Sequence, residues 1–127
     1  MRVGDHLVTP TRVLVSEPLR GFPRYHRVVV EVIVKNASRR ISRTHILFPR
    51  LKVKPEYEYE WNSFSQPHVE PPNLNQLLPG EESTGGYVFD VRNGTTPIAL
   101  TFDPPSNPVA RKVAIDLIGI IETESAK

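Results

Sequence analysis

The amino-acid sequence predicts an all-β protein built as an antiparallel sandwich of seven or eight short strands. Three observations favour this class: short segments in which apolar and polar residues alternate, turn residues between those segments, and 13 prolines in 127 residues. Alternation with a period of two is typical of strands that bury one face, and proline is excluded from helix interiors. The length predicts one domain over residues 1–121, followed by a polar tail at 122–127.

The first half of the chain contains the clearest strand, at residues 24–35. Its even positions carry four valines that form one fully apolar face, and β-branched residues favour strands. A turn is predicted at 36–38. Shorter strands are predicted at 12–15, which ends at Glu17-Pro18, and at 44–48 and 51–54, which Pro49 separates.

Residues 56–61 alternate without exception between glutamate and an aromatic residue. We interpret the aromatic face as core in preference to a stripe that binds sugar or peptide. We interpret the glutamate face as a solvated surface that prevents edge pairing, in preference to a glycosidase carboxylate pair or a cation site. The two faces consist of Tyr57, Tyr59 and Trp61, and of Glu56, Glu58 and Glu60.

The second half begins with a proline-rich loop at 62–80, a length that is often functional, with one helical turn predicted at 74–78. A strand at 86–91 follows, then Asn93-Gly94 as a hairpin turn, a strand carrying Ile98 and Leu100, and a last strand at 109–121. The predicted core comprises Val13, Val15, Val28, Val30, Val32, Val34, Tyr87, Phe89, Val91, Leu100, Val113, Ile115 and Leu117. This number and rhythm of strands favour an immunoglobulin-like sandwich over a barrel, which gives similar patterning.

The sequence offers no catalytic motif. It contains no cysteine, which excludes disulfides, thiolate metal sites and cysteine nucleophiles. It also lacks a nucleophile elbow, a phosphate-binding glycine loop and a paired-histidine zinc motif, and its four histidines have no ligand-like spacing. We therefore expect no enzyme, and no catalytic residue, cofactor site or metal site.

Charge is distributed unevenly along the chain. Residues 1–54 contain 12 Lys/Arg and 3 Asp/Glu, whereas residues 55–127 contain 4 and 11, within a net charge of +2. We favour mutual neutralisation between strands from the two halves over a basic face. If a basic surface exists, the candidate site for an anionic partner is the turn with Arg39, Arg40 and Arg43.

Two segments carry a family resemblance. The first is Val3-Gly4-Asp5 followed by the valine strand 25–36, and the second is LLPGEESTGGYVFDV at 77–91, continuing to LTFDP at 100–104. Their order resembles a widespread, functionally uncharacterised family of immunoglobulin-like domains in bacterial and archaeal surface proteins and lipoproteins, related to the mycobacterial immunoprotective extracellular protein. The resemblance implies that these motifs are structural and include no catalytic residues. It also implies that Pro79-Gly80 forms the turn before a core strand.

Two locations and two functions follow from these observations. No apolar segment follows Met1, so either the protein stays in the cytoplasm or the chain is a piece of an exported protein. No apolar run approaches the ~20 residues of a membrane helix. The resemblance favours a non-enzymatic interaction or structural module at the cell surface, with a protein or surface polymer as partner. The alternative is an intracellular protein that binds nucleic acid or an acidic polymer through the basic N-terminal half.

The second face of the valine strand predicts self-association. Val29 and Ile33 lie on this face, and Ile118 and Ile120 lie on the second face of the last strand. Such an apolar surface requires a cover, which the 62–80 loop, an additional short strand or a second copy of the chain can supply. We predict a homodimer that buries Val29 or Ile33.

Overall fold

The computed structural model describes residues 2–19, 21–62, 69–102, 113–117 and 119–123. These ranges contain nine strands and no helix. No membrane-spanning helix occurs among them. The strands are β1 (Arg2–Val3), β2 (His6–Leu19), β3 (Phe22–Asn36), β4 (Pro49–Lys54), β5 (Tyr57–Glu60), β6 (Glu82–Arg92), β7 (Thr96–Phe102), β8 (Val113–Asp116) and β9 (Ile121–Thr123).

The nine strands belong to two sheets, which form the two layers of a sandwich. The first sheet has the order β2-β3-β6, with the short β1 and β9 both along the outer edge of β2, and the second has the order β5-β4-β7-β8. All neighbours are antiparallel except β2 and β9. The chain changes sheet after β3, β5, β6 and β8, which is the Greek-key behaviour of immunoglobulin-like sandwiches. The predicted fold class is therefore confirmed.

The core lies between the valine face of β3 and the facing strands of the second sheet. Val28 and Val30 are paired with Phe89 and Tyr87 of β6, and all four side chains are fully buried. Eleven of the thirteen predicted core residues are in this core; Val15 is only partly buried, and the side chain of Val113 lies outside the described part. Complete burial of each large apolar side chain stabilises the fold by roughly 1.5–3 kcal/mol.

The strand predicted at 44–48 is wrong, and β4 begins at Pro49 instead of being interrupted by it. The segment bonds to the later loop: the Ser42 N–H donates to the Leu77 carbonyl (2.9 Å), and the Leu74 N–H donates to the His45 carbonyl (2.9 Å). These bonds satisfy buried backbone groups without a regular ladder. The helical turn predicted at 74–78 is a simple turn, closed by the Leu77 N–H on the Leu74 carbonyl.

The hairpin predicted at Asn93-Gly94 is also wrong. The turn exists, with a φ of 85° at Gly94. However, β6 pairs with β3 in one sheet, while β7 pairs with β4 and β8 in the other. The turn therefore connects the two layers.

The single strand predicted at 109–121 is two strands in different sheets. β8 pairs with β7, the chain then turns through the exposed Gly119, and β9 pairs parallel with β2. Ile120 packs against the core, contrary to its predicted outward position. β9 includes two residues of the predicted tail, whereas Ile118 and residues 109–112 and 124–127 lie outside the described part.

Candidate functional site

The aromatic side chains of β5 lie along an edge of the second sheet. Tyr59 is paired with Leu51 and Tyr57 with Val53, both of which are fully buried residues of β4. The aromatic face of β5 therefore points to the core side, as predicted. Because β5 is the last strand of the sheet, this side is only partly covered: Tyr59 and Trp61 pack against the core, but Tyr57 is 62% exposed. The prediction of an aromatic core face is thus wrong for Tyr57.

Phe48 extends this edge and was not predicted as a site residue. It lies immediately before β4 and is 72% exposed. Its ring centroid is 5.9 Å from that of Trp61, which in turn meets the buried Tyr87 edge-on at 5.5 Å and 85°. A continuous row of rings therefore runs from the core to solvent. Phe48 was not identified because it was assigned to a strand at 44–48. The adjacent Pro49 is the residue that could have indicated a strand starting after Phe48.

Two adjoining grooves accompany these rings. The first has a volume of about 240 Å³ between Phe48 and Trp61. The second, of about 410 Å³, lies along Tyr57 and Tyr59, and both grooves are also lined by Arg50 and Glu60. We define this surface, residues 48–50 and 57–61, as the aromatic rim.

The rim is held in place from beneath and from the side. The Tyr59 hydroxyl accepts a hydrogen bond from the backbone N–H of Arg92 (3.3 Å). The Trp61 Nε1 and the Tyr87 hydroxyl are buried without a hydrogen-bond partner in the described part of the chain, so packing alone holds these two rings. Burial raises the pKa of the Tyr87 hydroxyl, because the phenolate would lose its hydration.

Two of the three glutamates of this edge, Glu56 and Glu58, pair with cations of β4. Arg50 Nη1 lies 4.0 Å from Glu58 Oε2, and Lys52 Nζ lies 3.9 Å from Glu56 Oε1. Glu56 and Glu60 are exposed and Glu58 is half-buried. Across the described residues, no group of three His, Asp or Glu side chains is arranged to hold a metal ion.

The described ion pairs join the two halves of the chain. Arg27 pairs with Asp90 at 3.4 Å, and the Arg50 and Lys52 pairs likewise connect cations of residues 1–54 to acids of residues 55–127. Lys35 also lies opposite Glu82 in the β3–β6 register. These contacts support the interpretation of mutual neutralisation.

The candidate arginines lie together on the connection that follows β3. Arg39, Arg40 and Arg43 are all exposed, and none of the ion pairs found in the described ranges involves them. The side-chain amide of Asn36 fixes their backbone by donating to the carbonyls of Arg40 (2.7 Å) and Leu77 (2.8 Å). Arg39, Arg40 and Arg43 do not line any of the three grooves at the aromatic rim and beside Ile33, and we call this exposed connection the basic turn.

The residues predicted for self-association lie on the outer face of the first sheet. Val29 and Ile33 are half-buried. Val69, in the described part of the predicted loop, supplies some of the cover, because Val69 and Val29 both come within 4 Å of the place that a Cβ on Gly86 would occupy. Residues 63–68 of that loop lie outside the described part. A groove of about 420 Å³ remains beside Ile33. The homodimer stays a prediction.

Comparison with protein-family models, with curated proteins and with solved structures gives no match. The aromatic rim is therefore assigned as the candidate site from its geometry. The basic turn is the second candidate.

Proposed function

We propose that this chain is a non-enzymatic, immunoglobulin-like interaction module of an extracytoplasmic or cell-surface protein, and that it binds its partner through the aromatic rim. One observation carries the proposal: the two most exposed large apolar side chains of the described residues, Phe48 and Tyr57, lie on the same edge. Exposed apolar surface that is grouped in one place marks interaction sites, and aromatic residues are enriched at the centres of interfaces.

The energetic reason is the burial that these rings still lack. A phenylalanine side chain gains roughly 1.5–3 kcal/mol when it is transferred completely from water to an apolar contact. Phe48 forgoes most of this in the free protein, because it is 72% exposed. A partner that covers Phe48 and Tyr57 recovers it.

The fixed positions of Tyr59 and Trp61 also favour binding at the rim. Tyr59 is held by its hydrogen bond to Arg92, and Trp61 is packed against Tyr87 and the core. A surface whose side chains are already ordered loses less conformational entropy when a partner binds. The carboxylates of the rim lie at an open edge beside cations, whereas catalytic acids lie in clefts that exclude water. This placement supports binding over catalysis.

Intrinsic fluorescence tests the proposal directly, because Trp61 is the only tryptophan of the chain. The purified protein is titrated with four probes: a neutral β-glucan, heparin, a proline-rich peptide and a duplex DNA. At least one probe should change the Trp61 emission, and the response should disappear in both Phe48→Ala and Tyr57→Ala. If no probe gives a response that depends on the rim, the proposal is wrong. Fractionation of cells that express the natural gene tests the location.

The basic turn supports a second candidate function, the binding of nucleic acid or an acidic polymer. The specific observation is that three exposed guanidinium groups project from a turn whose backbone is fixed by Asn36. Retention on heparin or DNA should fall steeply with salt, since bound cations release counterions from a polyanion. Simultaneous replacement of Arg39, Arg40 and Arg43 by alanine should abolish it. Absence of retention at low salt would rule this candidate out.

A further inference from the structure

The rim presents aromatic faces in two successive places. Along β5 the rise is about 3.3 Å per residue, so the distance from Tyr57 to Trp61 is roughly 13 Å. The ring centroids of Tyr57 and Tyr59 are 4.8 Å apart, and Phe48 and Trp61 form the second pair. Because each pair lines its own groove, the rim offers two adjacent binding places along one line. This arrangement suits a linear polymer better than a compact small molecule.

The polar groups between the rings include both donors and acceptors. The guanidinium of Arg50 can only donate hydrogen bonds, the carboxylate of Glu60 can only accept them, and the hydroxyl of Tyr57 does both. Both grooves contain Arg50 and Glu60, so each place combines an aromatic face with groups of both kinds. Sugar hydroxyls are themselves donors and acceptors, and the C–H face of a sugar ring packs against the electron-rich face of an aromatic ring.

The charges of the rim favour an uncharged ligand. Arg50 is partly neutralised by Glu58 at 4.0 Å, and Glu60 adds one exposed negative charge. An anionic polymer would meet Glu58 and Glu60, and a cationic one would meet Arg50. The rim therefore offers neither polymer a surface of uniform opposite charge, which strong electrostatic association requires.

A proline-rich peptide is a poorer fit for the same surface. Such a peptide presents mainly carbonyl acceptors, which would leave the rim carboxylates desolvated without donors. The Trp61 Nε1, a donor suited to a peptide carbonyl, is buried and does not reach the surface.

We propose that the aromatic rim binds a neutral, linear polysaccharide, with one sugar ring against Phe48 and Trp61 and another against Tyr57 and Tyr59. This inference rests on the proposed function, because it names the ligand of the same surface. The partner of the module is then a hydroxyl-rich surface polymer.

Affinity gel electrophoresis tests the inference, with mixed-linkage β-glucan, galactomannan, neutral arabinoxylan or amylose cast into the gel. At least one polymer should retard the protein and change the Trp61 emission in solution. Phe48→Ala and Tyr57→Ala should each weaken binding at least tenfold, and Glu60→Gln should weaken it less. Ile41→Ala is the matched control, because it removes another exposed apolar side chain (53% exposed) outside the rim. Added salt should leave the affinity within about twofold, since no counterions are released.

The outcomes separate the inference from the proposed function. Retardation by none of the four polymers overturns the inference, as does retardation that survives in both Phe48→Ala and Tyr57→Ala. If only heparin, DNA or the proline-rich peptide gives a rim-dependent response, the interaction module stands and the polysaccharide does not. If no probe of either experiment depends on the rim, both fail. Because Phe48 and Tyr57 are exposed, these variants should keep the thermal unfolding midpoint of the parent, which confirms that binding and not folding has changed.

Discussion

The glycine pair of β6, Gly85 and Gly86, lies directly against another segment of the chain. Residues 69–72 cross β6 at Gly85 and Gly86, and the Gly86 N–H donates to the Glu70 carbonyl at 2.9 Å. A Cβ added to Gly85 would lie 2.4 Å from Pro72 N, 2.6 Å from Pro71 C and 2.7 Å from Glu70 O. All three atoms belong to the backbone, so no side-chain rotation relieves the clash. Ordinary contact begins at 3.4 Å, and the crossing segment must therefore move by about 1 Å.

The expected cost of Gly85→Ala has two parts and one offset. Overpacking of a close contact costs roughly 1–3 kcal/mol. The shift also breaks the bond between Gly86 and Glu70, and a buried N–H without a partner costs a further ~1–3 kcal/mol. Alanine restricts the unfolded chain, which returns about 0.4–1 kcal/mol. We expect the free energy of unfolding to fall by about 3 kcal/mol in total.

Urea denaturation measures this loss, with two matched variants as controls. In Gly86→Ala the nearest atom is the Val69 Cγ1 at 2.9 Å, a side chain that can rotate, so the loss should be about 1 kcal/mol or less. In Gly119→Ala no atom of the described residues lies within 4 Å of the added Cβ, so stability should be unchanged or slightly higher. Hydrogen exchange of the Gly86 amide should accelerate in Gly85→Ala. Equal stability of Gly85→Ala and the parent would refute the seating of residues 69–72 against β6.

Three further predictions concern buried polar groups. Burial lowers the pKa of His6, with Asp5 partly opposing the shift, so the folded state favours the neutral imidazole, whose Nε2 lies 3.0 Å from Ser42 Oγ. The contribution of His6 to the free energy of unfolding should be complete above the unfolded pKa of about 6.5 and should be lost as the pH falls below that value. The free energies of unfolding in urea of the parent and of His6→Gln should therefore diverge above pH 6.5 and converge in acid. Parallel pH profiles would contradict this. Asn36→Ala should lower the free energy of unfolding by about 2–3 kcal/mol, because it removes the amide donors to the Arg40 and Leu77 carbonyls at a buried position. Substitutions at the surface usually change this free energy by less than about 0.5 kcal/mol. A loss as small as that would show that these bonds do not stabilise the turn. The pKa of Tyr87 is raised by burial, so alkaline titration followed by phenolate absorbance should show one of the four tyrosines ionising only as the protein unfolds. Tyr87→Phe should remove this late step of the titration. If the late step persists in Tyr87→Phe, it belongs to another tyrosine.

The sequence by itself predicted a two-layer sandwich and much of its core. The alternation of valines in β3 required one face to be buried, because a one-residue slip would expose all of them. Alternation likewise predicted Tyr87, Phe89 and Val91 as core residues, and all three are buried. Their expected place opposite the valine strand is wrong, because β6 pairs with β3 in the same sheet. Pro79-Gly80 marked the turn into β6, where Gly80 has a φ of 82°. These features are local, so a linear pattern contains enough information to predict them.

Tertiary structure alone decided which layer each strand joins. Alternation identifies a buried face, but both layers of a sandwich have the same period, so Asn93-Gly94 resembled a hairpin although it joins two sheets. For the same reason β8 and β9 read as one strand, although they pair with β7 and β2. The adjacent Gly85 and Gly86 are the feature of the sequence that corresponds to the close approach of residues 69–72 to β6.

The candidate site shows the same division. The sequence identified the aromatic face of 56–61 but assigned it to the core, and Phe48 was missed. Whether an inward-facing ring is covered depends on the strand beside it, and β5 is the last strand of its sheet in the described part. Tyr57 is therefore exposed while Tyr59, two residues further along the same face, is packed. That difference arises from contacts between distant segments, which a periodic pattern does not encode.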